Sequence, residues 1–450
     1  MDDPQPTEKL NFKRVLPVFI IVLVDVLGLT IIIPLLPLYS AAFGANAFVI
    51  GLLSAMYPLM QFIASPVLGS LSDKFGRKPI LIISQIGTLS GFILLGFANA
   101  LPLLFLSRII DGISGGNIAI AKAAIADSTT DKTRTQGLGL IGAAFGIGFV
   151  IGPAISAVVL LLTGGNFHAP AFVAAIFSLS SIMLTTFWFK ETHQAPDETA
   201  VDDTRPRISY WQRVQMAFSH PVIGGLLILM FVQQLVLGGF EQIIPLFTLN
   251  RLGMDGSGNA LLFVFMGVLV AVVQGYLIGP LNRKFGERGL IYGGMLMLAV
   301  GVIGASMIPE QPMPGYSQAE TIARLQVNNS DAEIGVSLPD DGNTGWLGIG
   351  ALFVMMVPVT VGGYLVMPSI NSLLTQQTLA SEHGRILGIS TSVMSFSHIL
   401  APIMGGALFR WFGSSAPFLM GGIFILVVIL MLPAPFTLRL SFLEPALRGK

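Results

Sequence analysis

The sequence predicts an all-α integral membrane protein of twelve transmembrane helices, arranged as two parallel six-helix repeats. Three observations lead there. The chain is 53% apolar and 11% charged over 450 residues. It contains twelve apolar stretches long enough to cross a bilayer. One local pattern recurs 210 residues later, at Gly69 and again at Gly279.

Composition narrows the class first. A soluble domain carries roughly 25% charged residues, and a soluble chain of this size would have nowhere to hide so much apolar surface. The 24 basic residues are balanced by 24 acidic ones, which argues against the basic face that nucleic acid requires. No cysteine is present, so disulfides, thiol nucleophiles and cysteine metal sites are excluded. Residues 1–15 are polar and the first apolar stretch lacks a small-residue cleavage site. It reads as a retained helix, not a signal peptide.

Crossing ~30 Å of hydrocarbon takes roughly 20 residues. The candidate spans are 16–40, 48–71, 79–98, 101–124, 136–162, 168–189, 221–248, 259–281, 289–308, 346–375, 386–410 and 414–436. In lipid each must satisfy its own backbone hydrogen bonds, which makes them helices. Continuous apolarity, without period-two alternation, argues against a barrel.

Basic residues set the orientation. One side carries Lys9, Lys13, Arg14, Lys74, Arg77, Lys78, Lys122, Lys132, Arg134, Lys190, Arg205, Arg207, Arg213, Arg283, Lys284, Arg288, Arg385, Arg439, Arg448 and Lys450. The other carries only Arg251, Arg324 and Arg410. Both termini are therefore expected in the cytoplasm, with the chain in the cell membrane. Polar residues 191–219 form a cytoplasmic linker, giving an N-terminal bundle over 1–190 and a C-terminal one over 220–450. The external loop 309–345 sets Glu310, Glu320, Asp331, Glu333, Asp340 and Asp341 against Arg324 and reads as a solvated insertion. Within it, Asn328-Asn329-Ser330 matches a glycosylation acceptor.

The repeat rests on two alignments. GSLSDKFGRK at 69–78 matches GPLNRKFGER at 279–288, and Gly28, Ile32-Ile33 and Pro34 match Gly239, Ile243-Ile244 and Pro245. Six helices per copy preserve topology, so the copies are parallel and a solute site lies between them near mid-membrane.

Ionisable groups inside a span cost at least ~2.5 kcal/mol and are functional candidates. They are Asp25 in helix one, Arg108 and Asp111 in helix four, Glu241 in helix seven and His398 in helix eleven. Arg108 and Asp111, three apart, share a face. Lys122, eleven residues past Asp111, returns to the same stripe at 100° per residue. Gln234 lies one heptad before Glu241. Gln61, Gln233, Gln274 and Asn371 add hydrogen-bonding capacity for a substrate. A carboxyl in a low-dielectric cavity holds a proton nearer neutral pH than one in water, so Asp25, Glu241 and Asp111, in that order, are the candidate proton carriers.

Between helices two and three stands Gly69-x-x-x-Asp73-Lys74-x-Gly76-Arg77-Lys78. Gly69 and Gly76 permit close approach and a tight turn. Asp73 against a helix N-terminus would gain ~0.3–1 kcal/mol. Helix five carries Gly142, Gly146, Gly148 and Gly152 as a small-residue packing face, followed by Pro153, which bends it.

These residues resemble the major facilitator superfamily. The 69–78 segment is similar to its signature loop, and Arg108 with Gly112 and Gly115-Gly116 to its fourth-helix motif. Gly148-x-x-x-Gly152-Pro153 resembles the motif of its antiporter branch, with Ser156 and Ala157 where two further glycines are usual. Asp25-x-x-Gly28 with Pro34 and Pro37 resembles helix one of the tetracycline-efflux-like, twelve-helix drug:proton antiporters. The resemblance implies the major facilitator fold and a central cavity lined by helices one, four, seven and ten or eleven. Arg108, Gln61, Gln234, Gln274, Asn371 and His398 would then face substrate. It also implies a cytoplasmic latch of Arg77 and Asp127, with Arg134 nearby. The function implied is export of small amphipathic molecules against protons, with no cofactor, a proton gradient as energy source and a monomer as working unit. A symporter or facilitator for a small polar or anionic metabolite, bound by Arg108, is the alternative on the same fold. A non-transporting receptor or scaffold is the alternative of another class. No zinc-ligand spacing, nucleophile motif or phosphate loop points to an enzyme.

Overall fold

A computed structural model describes residues 11–130, 133–193, 215, 217–326, 334–378 and 383–431. Outside the described residues lie Lys9, Lys132, most of the 191–219 linker with Arg205, Arg207 and Arg213, the Asn328–Ser330 acceptor with Asp331 and Glu333, and Arg439, Arg448 and Lys450. The Arg385 side chain lies outside them too.

Among the described residues every long element is a helix. In chain order they are α1 (Phe12–Ile32), α2 (Leu36–Ala42), α3 (Ala47–Phe75), α4 (Arg77–Gly96), α5 (Leu101–Ser114), α6 (Asn117–Asp127), α7 (Arg134–Leu162) and α8 (His168–Phe187). There follow α9 (Pro221–Leu252), α10 (Gly256–Val272), a π turn (Val273–Leu277), α11 (Ile278–Ser306), α12 (Gln318–Gln326), α13 (Leu347–Gln376), α14 (His383–Phe412) and α15 (Ala416–Met431).

Among the described residues, ten helical stretches are long and apolar enough to cross a membrane. One of them, Gly256–Ser306, has 51 residues. At 1.5 Å per residue it would run about 77 Å, more than twice the hydrocarbon thickness. It turns at Gly286, whose φ of 66° takes the left-handed region open to glycine. The described part of α15 is shorter, at 16 residues.

Two expected continuous helices are broken. Prolines at 34 and 37 lie at the junction of α1 and α2. The fourth helix parts at Gly115-Gly116, between α5 and α6. The carbonyls released there are taken up by side chains: Gln61 Nε2 donates to the Gly115 carbonyl at 2.7 Å, and Ser84 Oγ donates to that of Ser114.

Buried apolar side chains gather in separate groups. One is drawn mainly from residues 217–428, and two others mainly from residues 15–189. The principal contacts between these regions are α3 on α14 and α7 on α10. They are backbone-close. A Cβ on Gly51 or Gly406 would strike the backbone of the facing helix, and one on Gly267 would meet the Phe149 carbonyl at 2.6 Å. Gly256 sits against Leu160 and Phe167. Toward the opposite ends of these helices, nothing approaches within 4 Å of a Cβ built on Gly69, Gly139, Gly142, Gly146, Gly275 or Gly279. The helices therefore meet at the end bearing the 43–46, 163–167 and 253–255 connections and part at the other. Gly69 makes no close approach in this arrangement, contrary to expectation, because its partner helices have separated.

The 309–345 loop departs from its expected solvated character. Leu325 on α12 is buried in the apolar cluster of Tyr39 and Phe167, and Ile334 and Leu338 pack on the same cluster. Gly335 N donates to the Ala41 carbonyl at 3.2 Å. Arg324 pairs with Asp255 at 2.9 Å and Glu320 at 2.6 Å. Met313 and Val336 pack on the other large cluster. The loop straps the closed end because Thr321 and Leu325, four apart on α12, present one inward face.

Candidate substrate and proton site

The N-terminal polar cluster is assembled from five helices. Gly91 lets α4 approach α5, where an added Cβ would lie 3.0 Å from that of Asp111. That contact places Thr88 and Phe92 against the charged turn of α5. There Arg108 Nη1 stands 3.1 Å from Asp111 Oδ2, with both side chains at 3% exposure or less. The guanidinium lies 5.7 Å from the Phe92 ring centre, a favourable cation–π placement. Its Nε and Nη2 are buried without a protein hydrogen-bond partner.

Asp25 of α1 reaches the same place. Its Oδ2 accepts from Asn117 Nδ2 at 2.9 Å and from Gln85 Nε2 at 3.4 Å. The helix break at Gly115-Gly116 is what starts α6 at Asn117 and brings that amide to Asp25. Asp25, Tyr57, Thr88, Phe92, Asp111 and Asn117 wall one small cavity. Two carboxyl groups and one guanidinium are thus buried close together, where each charge state matters far more than in water.

A second polar group lies on α9, α13 and α14. Glu241 Oε1 accepts from the Tyr364 hydroxyl at 2.7 Å. Gln234 Nε2 stands 3.1 Å from His398 Nε2, and Gly238 makes room for that ring, with its Cβ position 3.4 Å away. Asn371 Oδ1 accepts from Ser390 Oγ at 3.1 Å.

Several expected site residues lie elsewhere. Gln233 is fully buried and donates to the Gly363 carbonyl at 3.0 Å, a helix-to-helix bond. Gln61 serves the broken helix and Tyr57. Gln274 is exposed within the π turn. Lys122 is exposed whereas Asp111 is buried, since the break in the fourth helix interrupts the angular phase that would align them. Gln85, Asn117, Tyr57 and Tyr364 were not singled out from the sequence. They are neutral, and a scan for buried charge passes over them. An amide within an apolar span, or just after a Gly-Gly break, is the signal that finds them.

The latch residues come together. Gly76 turns with φ 98°, and Arg77 then opens α4. Arg77 Nε donates to Asp127 Oδ2 at 2.9 Å, and its Nη1 donates to Ser72 Oγ at 2.8 Å and to Asp73. Arg134 begins α7. Asp73 does not sit at the helix N-terminus as expected, because Arg77 draws it away. Glu191 takes that place, accepting from Arg77 N and Lys78 N at 3.0 Å each, and from Thr192 N and His193 N. Partial burial works to raise the Glu191 pKa, but the four backbone donors outweigh it and hold the carboxyl below its ordinary value. In the second copy Glu287 stands at the position matching Arg77 and accepts from Asn282, Ser372 and Gln376, so the sign of the charge there is reversed.

Replacing Glu191 by alanine is expected to cost about 1 kcal/mol, as for loss of a helix cap. Because the folded-state pKa is lowered, this contribution is present above the ordinary glutamate value and is lost as pH falls through the lowered one. Thermal midpoints of detergent-solubilised protein should differ between wild type and Glu191→Ala at pH 7, and converge in acid.

On α7, Gly148 and Gly152 pack on Val26 and Thr30 of α1, and Thr30 Oγ1 donates to the Gly148 carbonyl at 2.9 Å. Pro153 follows inside the helix. Gly142 and Gly146 face open space, so the small-residue face is used over only part of its length.

The Major Facilitator Superfamily profile matches residues 18–317. The chain belongs to the Major Facilitator Superfamily. It is a multi-pass membrane transporter of that superfamily and not an enzyme. Among similar superfamily members, the class B tetracycline resistance protein of Escherichia coli is 28% identical over 87% of each chain. The class E protein of Escherichia coli is 31% identical over 67% of this chain and 74% of its own. Multidrug resistance protein 2 of Bacillus subtilis (strain 168) is 25% identical over 91% of this chain and 93% of its own. The resemblance drawn from Asp25, Gly28 and the signature loop is thereby borne out. Solved structures share the fold. The human organic anion transporter MFSD10 (TETRAN) superposes with a TM-score of 0.60 at 20% identity, over 94% of this chain and all of its own. A POT family transporter superposes with a TM-score of 0.68 at 13% identity, over 93% of this chain and 94% of its own.

Proposed function

We propose that the protein is a secondary active transporter that exports small amphipathic, drug-like molecules in exchange for protons. The observation that carries the reading is Asp25: a carboxyl inside a membrane helix, walling a cavity beside the Arg108–Asp111 pair, with amides from two other helices on one oxygen. A group so placed gains and loses a proton at a cost that a conformational change can alter. Glu241, bonded to Tyr364, is the second carrier in the reading and Asp111 the third. The names of the tetracycline and multidrug resistance relatives support drug-like cargo.

The architecture proposed is twelve helices in two parallel repeats. It follows if Gly256–Ser306 crosses twice, turning at Gly286, and α15 completes the count. Residues 1–190 and 220–450 are then the two bundles, joined by the 191–219 linker, with both termini cytoplasmic in the cell membrane. The closed end faces outward and the parted end faces the cytoplasm, and rocking between the bundles alternates access. The working unit is a monomer that uses the proton gradient and no cofactor.

One observation favours a second reading. The partnerless Nε and Nη2 of Arg108 suit an anionic or hydroxylated metabolite, carried inward by a symporter or facilitator. Drug susceptibility of an efflux-deficient bacterial strain with and without the protein separates the two. Expression is expected to raise the tolerated concentration of several amphipathic drugs at least fourfold, and Asp25→Asn and Glu241→Gln are each expected to abolish that gain. Full resistance in both variants would remove the proton-carrier role, and no resistance to any drug would favour the metabolite reading.

A further inference from the structure

Both amide donors to Asp25 fall on one oxygen. Oδ2 takes both amide donors, while Oδ1 is buried with no protein partner. The two amides are not equivalent. Asn117 has already committed its Oδ1 to Ile118 N at 2.8 Å. Gln85 is fully buried, and its Nε2 donates to Ser181 Oγ on α8 at 2.7 Å as well as toward Asp25. Its Oε1 is buried with no protein partner. The charged and titratable neighbours sharing the compartment are Arg108 and Asp111 from α5 and Tyr57 from α3. From α8 the Ser181 hydroxyl lies beside the Asp25 carboxyl, and on α7 Gly148 and Gly152 pack on Val26 and Thr30 of α1.

An ionised carboxylate only accepts hydrogen bonds, whereas a protonated one also donates. A site that cycles between them needs a partner able to reverse its role. A primary amide carries donors and acceptor on opposite sides of one plane, so a half-turn about its terminal bond exchanges them without displacing a helix. We infer that Gln85 is a positioning residue that serves both protonation states of Asp25. Nε2 donates to the carboxylate. After the half-turn, Oε1 accepts from the protonated acid, through the oxygen that now lacks a partner. The same turn replaces Nε2 by Oε1 opposite Ser181, whose hydroxyl then donates instead of accepting, so protonation on α1 reverses the hydrogen bond between α4 and α8. Asn117, whose Oδ1 already accepts from Ile118 N, stays a donor to Asp25 and does not need to turn.

The inference rests on the reading of Asp25 as proton carrier, and the test separates the two. In proteoliposomes, gradient-driven substrate accumulation requires the proton step, whereas substrate counterflow requires only exchange. Gln85→Met keeps the side-chain length and removes both hydrogen-bonding functions. It is expected to lower accumulation at least tenfold and leave counterflow within twofold. Infrared difference spectra on a pH jump give an independent readout. The protonated-carboxyl band, assigned by its loss in Asp25→Asn, should move to higher frequency in Gln85→Met, because its O–H loses an acceptor. Wild-type accumulation in Gln85→Met, an equal loss of accumulation and counterflow, or an unmoved band would each overturn the role of Gln85, with Asp25 still standing. Full accumulation in Asp25→Asn would instead overturn the proton-carrier reading itself.

Discussion

Replacing Arg77 by leucine is expected to lower export about a hundredfold while the protein still accumulates in the membrane. The Arg77 side chain is 9% exposed and joins the end of α3, the start of α4 and the end of α6 through Ser72, Asp73 and Asp127. Hydrogen bonds involving charge are worth ~1.5–3 kcal/mol when shielded. Asp73 and Asp127 are 64% and 27% exposed, and solvent screening reduces each pair toward ~1 kcal/mol. Three partners then total about 3 kcal/mol, and each 1.4 kcal/mol is tenfold in an equilibrium. These Arg77 contacts are made in this structure, so their removal is expected to penalise the parted-end arrangement relative to its opposite. Arg77→Lys keeps the charge but loses the planar fork that reaches several partners, and should fall between. Transport into inverted vesicles, normalised to protein amount, measures the series. Wild-type transport in Arg77→Leu would reduce the segment to a topology anchor.

The second large effect is on stability. Arg108→Leu should cost about 3–5 kcal/mol, because it leaves the buried Asp111 carboxyl without the cation it pairs with. The single variant is expected to be recovered mostly misfolded or aggregated. The double variant Arg108→Leu, Asp111→Leu removes both charges and should regain most of the folded yield, since a buried pair is often replaceable by apolar side chains. It should not regain transport. A thermodynamic cycle over the four proteins isolates the coupling. If the double variant were no more stable than Arg108→Leu, the pair would not be the source of the loss.

Much of the fold was legible because a membrane imposes simple demands. Uninterrupted apolar length identified helices long and apolar enough to cross a bilayer, and the signature loop pointed to the residues that meet around Arg77. What escaped depended on contacts distant in the chain. Glu191 lies 114 residues from Arg77, and no periodicity links a residue at the end of one helix to the start of another. Gln85 and Asn117 are uncharged, and their meaning appears only when α4 and α6 deliver them to Asp25. The break at Gly115-Gly116 was written in the sequence, yet reading the fourth helix as continuous put Lys122 on the wrong stripe. The 309–345 loop misled because its acidic residues mark solvent exposure, while a few apolar ones, Leu325, Ile334 and Leu338, decide where it packs.

Proton exchange through Asp25 is tested most directly by measuring both fluxes at once. Purified protein is reconstituted with a pH-sensitive dye in the lumen, the lumen is made acidic, and an amphipathic fluorescent substrate found in the susceptibility screen is added outside. Substrate is expected to accumulate while protons leave faster than in its absence, with both changes missing in Asp25→Asn. Substrate entry at an unaltered rate after the gradient is collapsed, without any substrate-dependent proton efflux, would contradict it.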